Sequence, residues 1–268
     1  MQNLILYFVV AFIYLAIAID FWRTASASTS AQTLKLHSAM IALGLLLHGW
    51  LLYQDVFARN FDFGLINALS TIFWLTVLIY WLANLNHPLQ SLQAFVLPPA
   101  AIFALLPGFF IEHHFIPEAI DQLFVLHITI ALLAYSLFTF AALHAVLMAI
   151  AERSLHNKPT PFVLPDFPPL MVMESLLFKV ITIGFVLLTL TLVSGMFFSE
   201  EIFGKPLQFS HKIVFSVASW LIYGWLLFGR YQYGWRGLKA IRWTLAGFAL
   251  LLLAYVGTKF VLEIILKR

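Results

Sequence analysis

The chain has 268 residues, 62% of them hydrophobic and only 10% charged, with a formal net charge of +3 and a mean hydropathy of +0.95. A soluble domain of this size does not bury that much apolar surface, whereas a set of membrane helices does. The basic excess forms no stripe interleaved with polar surface, which excludes nucleic acid as a partner, and the absence of cysteine removes disulfides, thiolate metal sites and Cys-x-x-Cys redox chemistry.

Apolar runs long enough to cross a bilayer fall at about 4–22, 36–54, 64–83, 91–110, 122–150, 175–198, 212–229 and 243–262. The expected fold class is therefore all-α: a polytopic membrane helix bundle of about eight transmembrane helices. It reads as a single integral membrane domain over residues 1–268, with the lipid bilayer as its surroundings. The first run resembles a secretory signal, because Ala25-Ser26-Ala27 follows it. However, no positive side chain precedes it, and Arg23 and Lys35 come after it, so it reads as a retained helix.

Helix four carries Pro98-Pro99 and Pro107, which predicts a kink, or a break that lines a cavity. The stretch Lys158–Pro169, KPTPFVLPDFPP, holds five prolines and reads as an extended linker. The segment Phe209–Gly237 begins with Phe-Ser-His-Lys, crosses the membrane, and ends on Arg230 and a Gly-Trp-Arg-Gly turn.

The Lys and Arg pattern sets an orientation. The side reached after helices one, three, five and seven holds Arg23, Lys35, Arg153, Lys158, Lys179, Arg230, Arg236, Lys239 and Arg242. The other side is poorer in basic residues and holds most of the acids, among them Asp55, Glu112, Asp121, Glu200 and Glu201. Cationic loops stay in the cytoplasm, so both termini are expected to be extracytoplasmic.

With that orientation the nine histidines sort by depth. His37, His87 and His156 read as ordinary polarity at the inner boundary, and His144 as a buried structural histidine or a ligand. His127 lies near the outer end of helix five, and His211 begins helix seven from the same side. His48 lies about two turns below the outer end of helix two, and His113 and His114 lie in the outer turn before helix five.

Neutral imidazole is a ligand for haem iron and for Zn, Cu or Fe ions. A bis-histidine haem would need aromatic walls such as Trp50, Tyr53, Trp74, Trp81, Tyr135, Phe209, Trp220 and Trp225. The residues alone leave a second reading open, in which the aromatics form interfacial belts and each histidine is satisfied separately.

Several motifs narrow this choice. They are HITIALLAY from His127, Ala151-Glu152-Arg153, Pro168-Pro169-Leu170, Gly184-Phe185, Ser194-Gly195 and Gly234-Trp235-Arg236-Gly237. Their order and spacing over residues 122–257 resemble the CcsA/HemX-type cytochrome c assembly family. LLLHGWLLYQ, FSHK and AGFALLLLAYVGTKFVLE extend the likeness, to its YpjD-like inner-membrane branch. The resemblance implies a bacterial inner (cytoplasmic) membrane protein that binds or moves haem b alongside other membrane proteins. In the family's synthetases a histidine at the start of the helix corresponding to helix five holds the outer haem, which maps onto His127.

The departures are equally specific. The family's outer Trp-Asp-Pro-Lys-Glu segment reads here Phe209-Ser210-His211-Lys212-Ile213, so only the lysine survives. Phe228 replaces a membrane-buried histidine, and Ala254–Lys259 lacks the second outer one. The cofactor-binding candidates are therefore His127, His211 and His48, with His127 and His211 on the haem iron. Complete synthetase chemistry, and with it catalytic residues, is not expected. The alternative is a transporter, or a transport accessory, that kept the fold and lost haem, with Asn67, Ser70 and Thr71 lining its path.

Overall fold

The computed structural model describes residues 3–24, 30–57, 64–87, 89–110, 122–156, 169–203 and 211–257. Among them there are only helices: α1 (Leu4–Thr24), α2 (Ala31–Leu52), α3 (Leu65–Asn86), α4 (Gln90–Leu105), α5 (Gln122–His156), α6 (Leu170–Phe203), α7 (His211–Tyr233) and α8 (Gly237–Leu252). All eight are long and apolar enough to span a membrane, two of them counting the turn that continues them. Most of the linker after α5, together with His113 and His114, lies outside the described residues.

Three of the expected spans begin about five residues earlier than hydropathy alone suggests. α2 starts at Ala31, where the Ser30 side chain caps it by accepting from the Thr33 N–H at 3.1 Å. α6 starts at Leu170, because the charge of Glu174 inside its first turns is answered by Arg230 and Arg236. α8 starts at Gly237, because Lys239 and Arg242 sit on exposed positions while Ala240 and Ile241 face inward.

The chain packs as two compact units, one of Met1–Glu118 and Ile150–Met173, the other of Ala119–Ala149 and Glu174–Arg268. In the first, α4 packs along α1 and α3, and α2 also lies against both of them. α4 stays helical across Pro98-Pro99 and ends in a 3₁₀ turn, Leu106–Gly108, so the prolines do not break it. Its Ala100, Ala101 and Ala104 are buried, small enough for close helix approach.

The Tyr14 ring fits because position 44 is glycine: a Cβ there would stand 2.7 Å from the ring. Two tryptophans fasten α3 to α2 by donating to backbone carbonyls, Trp74 to Leu45 at 2.8 Å and Trp81 to Ser38 at 3.1 Å. Beyond α2 a π-helical turn, Tyr53–Phe57, brings Asp55 to the Tyr7 hydroxyl and Gln54 to Asn3.

The second unit is built on ring contacts. Phe138 of α5 stacks on Tyr223 of α7 with centroids 3.9 Å apart, and Gly184 of α6 makes room for Phe138. Ser219 donates to the Gly247 carbonyl at 2.8 Å, and the Trp220 indole donates to Thr189 Oγ1 at 2.8 Å. Gly44, Gly184 and Gly247 each meet a ring at close range, and Gly195 meets the His127 ring at 3.4 Å, so these glycines are the points where helices approach.

α7 ends where the sequence places a turn. Gly234 has φ +63° and donates to the Arg230 carbonyl at 3.1 Å, and Trp235 then folds back over Gly229. Arg230 and Arg236 both bond Glu174, which is buried, so this corner ties α7, the turn and α6 together.

Candidate functional site

The unit that holds α5–α8 places two candidate ligands at helix starts. α5 begins at Gln122, so His127 lies about one and a half turns in. Its ring is half-buried, and Phe124 lies alongside it with centroids 6.3 Å apart and planes within 17°. His211 is the first residue of α7 and is exposed. The adjacent Lys212 is close enough for its charge to act on the His127 ring.

One bond gives the His127 ring a direction. Its Nδ1 lies 2.7 Å from Ser194 Oγ on α6. A serine hydroxyl has one hydrogen, and Ser194 donates it to its own helix, to the Leu190 carbonyl at 2.7 Å. Ser194 is therefore the acceptor and Nδ1–H of His127 the donor. In the neutral ring that leaves the lone pair on Nε2, the arrangement in which an imidazole offers Nε2 to a metal while its other nitrogen is fixed by a partner.

His48 belongs to the other unit. It is 1% exposed, with Nε2 3.0 Å from Ser70 Oγ and its ring 6.0 Å from Tyr14. Its Nδ1 is buried and has no hydrogen-bond partner among the described residues. The remaining histidines are placed separately. His37 lies 3.0 Å from Asp20, His87 ends α3, and the buried His144 stacks on Phe140.

Among the described residues no three His, Asp or Glu gather as a bare metal ion would require. The expected aromatic walls are dispersed. Trp50 and Tyr53 stack on each other at an exposed face, Trp220 stacks on Phe185, and Phe209 lies outside the described residues. Ser194 and Glu174 were not singled out as working residues by sequence reasoning. Ser194-Gly195 was visible only as a family motif, because pairing it with His127 requires knowing which faces of α5 and α6 meet.

The profile of the cytochrome C assembly protein family matches residues 33–266, nearly the whole chain. The chain belongs to the cytochrome c assembly family. Inner membrane protein YpjD of Escherichia coli strain K12 is 36% identical over 177 residues, which are 66% of this chain and 65% of the relative. The match thus spans somewhat less than two-thirds of that relative's length. More distant similarity runs further. Cytochrome c biogenesis protein CcsA of Synechococcus sp. strain CC9311 is 22% identical over 285 aligned positions, covering 93% of this chain and 92% of the relative. Protein HemX of Brevibacillus brevis is 22% identical over 231, covering 81% and 84%. This is a multi-span membrane protein of that family.

Proposed function

We propose that this chain binds and handles haem b in the bacterial inner membrane, both termini facing outward, without the complete chemistry of a cytochrome c synthetase. The observation that carries the reading is the His127–Ser194 pair, in a family named for cytochrome c assembly. His127 would hold the iron through Nε2, with Ser194 fixing the ring through Nδ1 and Phe124 beside it as an apolar wall. His211, exposed at the start of α7 within the same unit, is the second axial candidate.

Bound there, the group would supply a redox-active iron. The protein's part is to bind, orient and shield it. Lys212 adds a positive charge suited to a haem propionate. His48, in the other unit, is the alternative ligand. Synthetase chemistry is left out of the proposal because the Trp-Asp platform is replaced by Phe209-Ser210-His211. The transport alternative is given no broken helix by α4, which is continuous through Pro98-Pro99.

The test is the absorption spectrum of full-length protein purified from haem-replete cells. A Soret band is expected, lost in His127→Ala. Ser194→Ala should keep the band but weaken haem affinity roughly 10–100-fold, the usual cost of losing a partner that orients a ligand. Protein that stays colourless after reconstitution with haem, or a band that His127→Ala leaves unchanged, ends the proposal.

A further inference from the structure

α6 carries a charge that no other described residue answers. Lys179 lies inside the spanning stretch Leu170–Phe197 and is exposed, and no hydrogen-bond or ion-pair partner reaches it among the described residues. An ammonium facing hydrocarbon is costly unless it snorkels to the interface or meets an anion. The carboxylate on the same helix, Glu174, is five residues and about 7.5 Å away along the axis. It is already bonded by Arg230 and Arg236. Among the described residues no other carboxylate reaches Lys179, so an anion from outside the chain can take that place.

The surroundings of Lys179 say what kind of anion. Lys179 and Arg230 line one groove of about 510 Å³ together with Ser175, Phe178, Thr182 and Ile183. Ser175 and Lys179 lie toward the Glu174 end, Arg230 reaches in from α7, and Thr182, a turn deeper, spends its hydroxyl on the Phe178 carbonyl at 2.8 Å; the charged Glu174–Arg230–Arg236 corner fits a membrane boundary at that end. Ile183 lies a turn deeper on the apolar face of α6 and is exposed, and Val186 beyond it is exposed too. A cationic head above an apolar wall open to the side matches a molecule that lies in the bilayer, and a soluble anion would leave the wall unused. Basic pockets between transmembrane helices at the cytoplasmic boundary take lipid phosphates in the same manner.

We propose that this groove binds an anionic phospholipid, its phosphate held by Lys179 with Ser175 and Arg230, and an acyl chain laid along Ile183 and Val186. The site is independent of haem and lies at the opposite end of α6 from Ser194.

The test uses full-length protein in bilayer discs of phosphatidylcholine doped with phosphatidylglycerol, with lipid retained after detergent extraction counted by native mass spectrometry. Wild type should retain phosphatidylglycerol over phosphatidylcholine, and high salt should reduce that retention. Lys179→Gln should lower it about fivefold, the effect of one interfacial cation. Lys179→Arg should restore it, and Lys35→Gln, an exposed cation on α2 that does not line this groove, should leave it unchanged. Circular dichroism identical to wild type establishes that each variant is folded. Equal retention of the two lipids, or wild-type retention by Lys179→Gln, overturns the proposal. Displacement of the lipid by inorganic phosphate also overturns it and assigns the groove to a free anion.

Discussion

Tyr223 is completely buried, and the space for its ring exists because residue 247 ends at a hydrogen. A Cβ on Gly247 would lie 2.9 Å from the ring, whose retreat is opposed by its burial and its stacking on Phe138. Gly247→Ala is therefore expected to destabilise the protein by about 1–3 kcal/mol, the cost of overpacking, read as a lower melting temperature in detergent. An unchanged melting temperature would show that the ring has room to move. The position of this glycine was legible in the chain, since a small residue in an apolar run marks close helix approach. The ring opposite it was not. The histidines divide in the same way. The depth of His127 follows from counting residues, but its bond to Ser194 depends on the rotation of α5 against α6, which no local pattern records.

Among the elements, the turn between α7 and α8 was the most readable and gives the cleanest test. Gly234 has φ +63°, and a Cβ there would meet nothing within 4 Å, so any cost of substitution is purely conformational. Gly234→Ala should cost about 1–2 kcal/mol and Gly234→Asn less, because asparagine tolerates the left-handed region. Equal melting of the two variants would contradict this account of the cap. The starts of α6 and α8 were harder to read, since hydropathy stops at the first charge. Glu174 is tolerated inside α6 only through arginines some sixty positions away in sequence, a compensation that no local window contains. Pro98-Pro99 warned of an interruption that the fold does not make, α4 running helical from Gln90 to Leu105.

For the whole molecule, eight spans could be counted from composition and run length, because the bilayer imposes both. The grouping into two units, with the boundary falling inside α5 and inside α6, had no such signal. The proposed orientation can be tested directly, because the chain has no cysteine and every introduced thiol is unique. In intact spheroplasts an impermeant maleimide should label Asn3→Cys, and it should reach Lys158→Cys only after lysis. The reverse pattern would invert the topology.

The lengths of α5 and α6 have a consequence of their own. At 35 and 34 residues they extend roughly 50 Å, against about 30 Å of hydrocarbon, and ordinary tilt takes up only a few ångströms of the difference. Each must stand out of the bilayer as a rigid post, α5 at its Glu152-Arg153 end and α6 at its Glu200-Glu201 end. A water-soluble protein approaching either side would meet a preformed helical ledge before it touched lipid.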